Sequence, residues 1–460
     1  MTLPVHTLPP LTLPQLAAAL ATGATSSRAL TELALDAAAS SAQGPVTFTA
    51  VHTEQARASA DAADRLRAAG VPLGPLAGLP ISIKDLFDEA GVTTRAGSRV
   101  LSGAPPAAQD SLVVQRLRAA GAVIVGRTNM TEFAYSGLGL NPHYGTPLNP
   151  WDRATGRIPG GSSSGAAVSV TDGMAAAAIG TDTGGSVRIP SALCGLTGFK
   201  PTARRVPVEG VLPLSPTLDS IGPLARSVAC CALLDAVLAG EPAPLGVAPA
   251  SLAGVRVALP RTGVLDGVDD TVGHAFAAAC SALSAAGVQW VDIDVPEFLE
   301  LAHINRGGGF TAAESWAWHA ALMQSREGEY DPRVAVRIRR GSGLSAADYL
   351  ELLAERRRWI KAVEHRLAAA HTAFMVFPTV PVVAPAVAPL QDSDEAYGRT
   401  NLLLLRNPTL INFLDGCALS LPCHQPGDAP VGLTLAAPGG HDAAVLALGA
   451  AMEAVLQTRA

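Results

Sequence analysis

The chain alternates short apolar runs of strand type with longer segments of helical periodicity. Runs such as "LAGLPISI", "VRVALP" and "VGLTLAAP" are apolar almost throughout, which is typical of strands that are buried on both faces of a sheet. Strands that alternate with helices indicate a sheet with helices packed on it. The sequence therefore predicts an α/β fold, in which one large mixed β-sheet is covered by helices on both faces.

The same patterns predict individual elements and their arrangement along the chain. We predict two helices between about residues 15 and 40, strands at 46–51 and 76–83, and helices at 53–69, 345–370 and from about 442 onwards. We expect one domain over residues 1–460, with an N-terminal helical portion (1–75) and a catalytic core (78–202). The Pro- and Gly-rich segment 240–254 is predicted to be an internal surface connector.

Composition excludes several classes of function. Hydrophobic residues make up 48% and charged residues 16% of the chain, the net charge is −6, and no basic block occurs, so nucleic acid is not an expected partner. The six cysteines lack zinc-ligand spacing, so we predict no metal and no other cofactor, and buried thiols in a reducing compartment. The N-terminal residues resemble neither a signal peptide nor a membrane anchor. The sequence predicts a cytoplasmic protein that does not bind membranes.

The most informative stretch is residues 156–202, where glycines and hydroxyl side chains are concentrated. Two glycine-rich turns, "PGGSSSG" and "TDTGGS", each place a serine at the edge of a helix, and the strand-like "AAAAIGTD" separates them. Glycines allow the backbone to approach a ligand closely, and N–H groups that open a helix can bind a negative oxygen. Neither a phosphate-binding loop nor a dinucleotide-binding turn matches this stretch. Two such turns favour a catalytic site over ordinary helix caps.

A different enzyme class also matches part of this stretch. "GSSSG" (161–165) fits the nucleophile elbow of α/β-hydrolases with Ser163 as nucleophile. That elbow follows a buried strand, whereas the preceding "NPWDRATGRIPG" is polar and contains two prolines. Several histidines follow that could complete a triad: His274, His303, His319, His365, His371, His424 and His441. An elbow-type serine esterase therefore remains an alternative prediction.

Three motifs together resemble those of the amidase signature family. "GLPISIKD" resembles the family's lysine strand, "PGGSSSG" its first serine turn, and "GTDTGGSVRIPSALCGLTGFKPT" its nucleophile segment, in the family's order. The resemblance implies the family's fold and a Ser–Ser–Lys triad, with Ser186 as nucleophile, Ser162 as bridging serine and Lys84 as base. It also implies a cis peptide bond at 161–162 and a supporting hydrogen-bonding role for Ser163. The implied oxyanion hole consists of four backbone N–H groups: Thr183, Gly184, Gly185 and Ser186.

Lys84 is one of only three lysines among 33 basic residues. A lysine can act as a base only when neutral, and its ordinary pKa near 10.4 must then fall by about three units. Burial supplies such a shift because it disfavours the charged form, whereas arginine cannot lose its proton. The apolar flanks in "PISIKDLF" predict this burial. Asp85 is expected to point to the opposite face of the strand, since adjacent strand side chains alternate.

Residues around the motifs have predicted supporting roles. Asp182 and Arg188 are expected to form an ion pair that braces the nucleophile turn, and Lys200 to be structural, bound to a carboxylate or a backbone carbonyl. By resemblance, Phe133 and Tyr135 are candidate walls of the substrate pocket. The predicted reaction is hydrolysis of a small-molecule carboxylic amide. An amidotransferase-type subunit that releases ammonia from glutamine, a urea-type amide hydrolase, a non-catalytic binding subunit and a homodimeric assembly are further predictions.

Overall fold

The computed structural model describes residues 7–243 and 246–458. One mixed sheet runs through these residues, as the sequence predicts, and it has eleven strands. The strands are β1 (Phe48–Val51), β2 (Pro80–Lys84), β3 (Val123–Thr128), β4 (Ala177–Asp182), β5 (Thr197–Lys200), β6 (Ser220–Ala225), β7 (Arg256–Pro260), β8 (Gln289–Ile293), β9 (Met375–Pro378), β10 (Cys417–Pro422) and β11 (Gly432–Ala437).

The strand order across the sheet is β1-β3-β2-β4-β6-β5-β10-β11-β9-β7-β8. The pairs β3–β2, β2–β4, β9–β7 and β7–β8 are parallel, and the other six pairs are antiparallel. The late strands β10 and β11 lie inside the sheet, where they join β5 to β9. Every residue of β2, β3, β4, β5, β6, β9 and β11 is buried. For β2, β4 and β11 this agrees with the apolar runs that predict them.

Sixteen α-helices and three short 3-10 helices accompany the sheet within the described residues. The α-helices are α1 (Leu13–Ala21), α2 (Ser27–Ser40), α3 (Gly44–Thr47), α4 (Thr53–Ala68), α5 (Leu112–Ala119), α6 (Ser164–Thr171), α7 (Arg188–Cys194), α8 (Val228–Ala239), α9 (Asp270–Ala285), α10 (Glu297–Ile304), α11 (Gly309–Arg326), α12 (Pro332–Arg339), α13 (Ala346–Ala369), α14 (Val387–Asp392), α15 (Asp394–Phe413) and α16 (Asp442–Gln457). Helices α5, α8, α9 and α16 contact one another, as do α3, α6, α7 and α15, and members of both groups pack on the sheet. The sheet is therefore covered on both faces.

Most predicted elements are present with shifted ends. The strand predicted at 46–51 begins only at Phe48, because residues 44–47 form a helical turn with a proline at its start. The strand predicted at 76–83 begins at Pro80, because Gly78 has a left-handed φ of 81° that belongs to the preceding turn. Parts of two predicted segments lie outside the described residues. These parts are residues 244 and 245 of the predicted connector 240–254, and residues 1–6 of the predicted N-terminal helical portion.

Candidate active site

Two parallel strands bring the lysine and the nucleophile segment to one edge of the sheet. Strands β2 and β4 pair with Ile83 opposite Ile179, so their carboxyl ends meet at the same edge. Lys84 is the last residue of β2 and its side chain is completely buried. Its Nζ donates to Ser162 Oγ at 2.7 Å and to Thr181 Oγ1 at 2.9 Å. The amine therefore lies within hydrogen-bonding distance of the first serine.

The surroundings of Lys84 favour its neutral form. Burial lowers the pKa of Lys84 to about 7, and the more distant carboxylates of Asp182 and Asp219 only partly oppose this shift. Asp85 points away, as predicted: its carboxylate pairs with Arg127 Nε at 2.8 Å and accepts the N–H of Gly97. The adjacent carboxylate is therefore occupied elsewhere, and Lys84 has the electrostatic setting that a neutral base requires.

The first serine turn is packed so closely that a residue larger than glycine does not fit at position 161. The Gly161–Ser162 peptide bond is cis, as the resemblance implies. A Cβ on Gly161 would lie 2.5 Å from the backbone nitrogen of Gly139, so only glycine fits. The N–H of Thr131 donates to Ser162 O at 3.0 Å, and the N–H of Ser163 donates to Ser186 O at 3.3 Å. The last bond joins the two serine turns directly.

The carboxylate of Asp182 organises the nucleophile turn. It accepts the N–H groups of Gly185 at 2.8 Å, Val187 at 3.1 Å and Arg188 at 3.3 Å. The predicted ion pair is present, with Arg188 Nη2 at 2.9 Å from Asp182 Oδ1 and both side chains fully buried. Burial opposes the charge on Asp182, but the charge and hydrogen bonds of Arg188, with Lys200 and Asn412, together hold the pKa of that carboxyl well below its ordinary value. The turn that carries Ser186 is thus built around a buried charge pair.

The backbone of this turn modifies the predicted oxyanion hole. The N–H of Gly185 is already bound to Asp182, so we remove Gly185 from the set of candidate donors. Gly184 and Ser186 donate to no acceptor in the part of the chain that the structure describes. The Ser186 side chain is 4% exposed, and its hydroxyl makes no hydrogen bond within the same residues. The proton relay between Ser162 and Ser186 therefore stays a prediction.

Helix α15 supplies contacts that the sequence analysis missed. Arg188 Nη2 also donates to Asn412 Oδ1 at 2.6 Å, and Asn412 Nδ2 donates to the Asp182 carboxylate at 2.9 Å. Thr409 Oγ1 donates to Gly184 O at 3.3 Å. These partners lie more than 200 residues from the turn they support, and no local motif predicts them. Thr409 and Asn412 lie within "NPTLIN", but α15 contains many other polar residues, so the sequence does not single these two out.

Ser163 has the surroundings of a supporting residue. It is fully buried, and its Oγ donates to the Thr181 carbonyl at 3.4 Å, with no histidine among its hydrogen-bond partners in the described residues. The chain between β3 and α6 contains a short 3-10 turn at Glu132–Ala134 and no strand, apart from an isolated bridge at Arg157. The strand that a nucleophile elbow requires is therefore missing, which removes the main geometric support for an elbow-type esterase.

The two candidate pocket walls have different environments. Phe133 is 1% exposed and packs in an aromatic cluster, with ring centroids 4.4 Å from His319 and 5.3 Å from Tyr330. Tyr135 is half-buried, and Arg337 donates to its carbonyl at 2.6 Å. Neither aromatic side chain lines the cavity beside the nucleophile turn, but Ala134 between them does. Their contact with substrate stays a prediction.

That cavity has a volume of about 50 Å³ and one acidic residue in its wall. Thr181, which binds Lys84, and Thr183 from the nucleophile turn line it together with Asp219. The hydroxyl of Thr183 donates to Asp219 Oδ1, and the N–H groups of Leu214 and Ser215 donate to Oδ2, each at 3.0 Å. Burial raises the pKa of Asp219 to about 6 despite these three donors. The sequence analysis did not identify this carboxyl.

The remaining predictions concern Lys200, metals and membranes. Lys200 binds backbone carbonyls, as predicted: its Nζ donates to the carbonyls of Gly416 at 2.6 Å and Pro201 at 2.7 Å. Across residues 7–243 and 246–458, no group of His, Cys, Asp and Glu side chains has the arrangement of a metal site. No helix in that part of the chain is long and apolar enough to span a membrane.

Comparison with known proteins places this site in a family. Residues 29–446 match the family profile described as "Amidase". The 2-amino-5-chloromuconic acid deaminase of Comamonas testosteroni is 38% identical over 87% of each chain. The 1-carboxybiuret hydrolase subunit AtzE of a Pseudomonas species (strain ADP) is 38% identical over 80% of this chain and 81% of its own. A solved structure described as an amidase superposes with a TM-score of 0.86 at 31% identity, over 98% of this chain and all of that one.

The buried lysine that contacts a serine turn, the strand order of the mixed sheet and these matches together indicate a hydrolase of the amidase class. The chain belongs to the amidase family and is an amide-hydrolysing enzyme. The resemblance of the three motifs is thereby confirmed, and so is the predicted fold class.

Proposed function

We propose that this enzyme cleaves a small carboxylic amide through an acyl-enzyme formed on Ser186. Neutral Lys84 takes the proton of Ser162 as Ser162 takes that of Ser186, whose oxygen bonds to the substrate carbonyl carbon. The N–H groups of Gly184 and Ser186, with Thr183, stabilise the negative oxygen. The relay then returns a proton to the leaving nitrogen as the C–N bond breaks. Water attacks the ester by the same relay and releases the acid.

One observation carries this proposal: the buried Lys84 amine donates to Ser162 Oγ at 2.7 Å. A lysine with a pKa of about 7 is substantially neutral at physiological pH, so its nitrogen can accept a proton. The backbone hydrogen bond from the N–H of Ser163 to the carbonyl of Ser186 holds the second serine turn beside the first. A base, a hydroxyl in contact with it and a neighbouring second hydroxyl are the parts that serine-based amide hydrolysis needs.

We further propose a substrate that carries an acid group. Both relatives compared above act, by name, on molecules that include an acid or carboxy group. The half-buried Arg337 donates to the carbonyl of Tyr135 and has no carboxylate partner in the described residues. Tyr135 directly follows Ala134, which lines the cavity beside Thr183. An arginine that has no counter-ion and contacts the residue next to a cavity-lining one suits a substrate carboxylate.

A free-standing enzyme suits the chain better than an amidotransferase subunit. The net charge of −6 and the lack of a basic block do not favour a tRNA-linked role. The six cysteines form no disulfide bond with one another in the structure, which fits the proposed reducing, cytoplasmic location. The homodimer stays a prediction.

Turnover and active-site labelling test the proposed chemistry together. We expect the wild-type enzyme to release ammonia from members of a panel of primary amides, with and without a carboxylate, and to react with a fluorophosphonate probe at Ser186. Ser186→Ala should abolish both signals, while Ser163→Ala, the matched control, should still be labelled. A label on Ser163, or substantial turnover by Ser186→Ala with an unchanged circular dichroism spectrum, would show that the nucleophile is wrongly assigned.

A further inference from the structure

The carboxyl of Asp219 is hydrogen-bonded to the nucleophile turn and also acts electrostatically on Lys84. Its Oδ1 accepts the hydroxyl of Thr183, which belongs to the turn between the end of β4 and Ser186. Its charge also acts on Lys84, whose protonated form it favours. The same carboxyl lines the cavity that Thr181 and Thr183 share. One acidic side chain thus touches the oxyanion side of the site and influences the base on the other.

Backbone hydrogen bonds to its second oxygen hold this carboxyl in position. Its Oδ2 accepts two backbone N–H groups at 3.0 Å, from Leu214 and Ser215. Residue 219 directly precedes β6, whose Ser220 is paired with Asp182 at the end of β4. The carboxyl is therefore attached to the strand beside the nucleophile turn, and it has no arginine or lysine in direct contact within the described residues. An ion pair with a neighbouring side chain therefore does not account for Asp219, whereas Asp182 at the start of the same turn is paired with Arg188.

Resting on the proposed function above, we propose that Asp219 is a positioning residue for the amidase reaction, which holds Thr183 so that the backbone N–H groups of the nucleophile turn face the oxyanion. The ionised carboxylate is the form that accepts all three donors. Because the turn carries both the proposed oxyanion donors and Ser186, a small shift of Thr183 moves them together. Misplacement of about 1 Å at a reaction centre costs about 100-fold in rate.

The charge of Asp219 has a second effect, on the pH dependence of the rate. Two carboxylates that do not contact Lys84, those of Asp182 and Asp219, favour its protonated form. Asp219 itself is influenced by the carboxylate of Glu314, which disfavours its ionisation. Removal of the charge on Asp219 leaves Lys84 with one opposing carboxylate fewer, so its neutral form persists to lower pH. The rise of kcat/KM with pH should therefore shift to lower pH. A residue that only stabilised the fold would not shift it.

Four variants separate these effects: Asp219→Asn, Thr183→Val, Thr183→Ser and the double variant Asp219→Asn/Thr183→Val. The asparagine Oδ1 can still accept the hydrogen bond from Thr183. Its NH₂ group would face the N–H groups of Leu214 and Ser215 and cannot accept their hydrogen bonds, so the side chain is no longer held in place. We expect kcat to fall about 10- to 100-fold in Asp219→Asn and Thr183→Val with KM little changed. Thr183→Ser should regain most of the rate, and the double variant should be no slower than the worse single variant.

The pH profile supplies the matched control. Asp235 is a buried carboxyl whose pKa is also raised to about 6, but it binds Arg205 and contacts neither Thr183 nor Lys84. Asp219→Asn should shift the acid limb of kcat/KM to lower pH, and Asp235→Asn should leave it in place. Wild-type rate and an unmoved limb in Asp219→Asn, or multiplicative losses in the double variant, would overturn the proposal. If Asp219→Asn does not fold, the rates of Thr183→Val and Thr183→Ser decide.

The outcome is distinguishable from failure of the proposed function. Fluorophosphonate labelling of wild-type Ser186 tests the nucleophile without reference to Asp219. Labelled, active wild-type enzyme with an unaffected Asp219→Asn variant contradicts only the positioning role. Absence of labelling at Ser186 in the wild type contradicts the proposed nucleophile itself.

Discussion

Lys84 Nζ and Ser162 Oγ are 2.7 Å apart, although 78 positions separate the two residues in the chain. The contact arises because Lys84 ends β2 and Ser162 lies just before α6, which packs on β2. The sheet edge therefore presents a buried amine to a serine hydroxyl. The following predictions test what this contact and its surroundings do.

The rate should depend on pH through Lys84. A base must be neutral, so kcat/KM should rise with pH as Lys84 loses its proton around pH 7, and then reach a plateau. The sign follows from the lowered pKa: the active form is fully present above about pH 8 and is lost below about pH 6. Initial rates from pH 5 to 10 would measure this. A rate that still rises at pH 10 would contradict a lowered pKa.

Lys84→Arg should lose activity although it keeps the positive charge. Arginine does not release its proton in proteins, so the variant has no base, and we expect kcat to fall by about 10²–10⁴-fold. Lys361→Arg is the matched control, since Lys361 lies on α13 and its side chain is exposed. The control should keep wild-type kcat. Equal rates in the two variants would show that the amine of Lys84 is not the base.

Arg188→Gln should destabilise the fold strongly. The substitution leaves the buried Asp182 carboxylate without its guanidinium, and the loss of one partner from a buried pair costs about 3–5 kcal/mol. Arg204→Gln breaks the pair with Asp415, in which the arginine side chain is 74% exposed, and should cost less than about 1 kcal/mol. Urea unfolding followed by circular dichroism compares the two variants. Similar midpoints would contradict a special role for the buried pair.

Gly185→Ala should disturb the nucleophile turn. Its φ of 122° is strained for any other residue, and an added Cβ would lie 2.5 Å from Pro408 Cβ. We expect a loss of both kcat and melting temperature. Gly398→Ala is the contrasting control, because that glycine lies within α15 with open space around it, and alanine should stabilise the helix by about 1 kcal/mol. An unaltered kcat in Gly185→Ala would mean that the turn adjusts freely.

The sequence predicts those parts of the site that lie within continuous motifs. Lys84 and Asp85 are correctly assigned to opposite sides of a strand, because strand alternation is a local property. The Asp182–Arg188 pair is likewise local, since one turn separates the two residues. Local reasoning fails for Asp219 and Asn412, which reach the nucleophile turn only because distant strands and helices pack there. Their roles depend on tertiary contacts that no spacing along the chain encodes.

The limits of the fold prediction have the same origin. The apolar runs predict the strands well, because burial on both faces leaves a direct trace in composition. The region from α10 to α12 was not assigned, although the turn after β3 packs on it: Phe133 contacts His319 and Tyr330. The position of β10 and β11 between β5 and β9 was also beyond reach, because strand order is set by pairing across the whole chain.

That strand order has a consequence for biosynthesis. Strands β10 and β11 occupy the gap between β5 and β9 but are synthesised after the other nine strands of the sheet. We expect a nascent chain that ends before Cys417 to expose two apolar edges at once, which is the condition that recruits chaperones and promotes aggregation. Stalled chains of this length should therefore be insoluble when released, whereas chains extended past α16, which packs on β10 and β11, should be recovered in the soluble fraction.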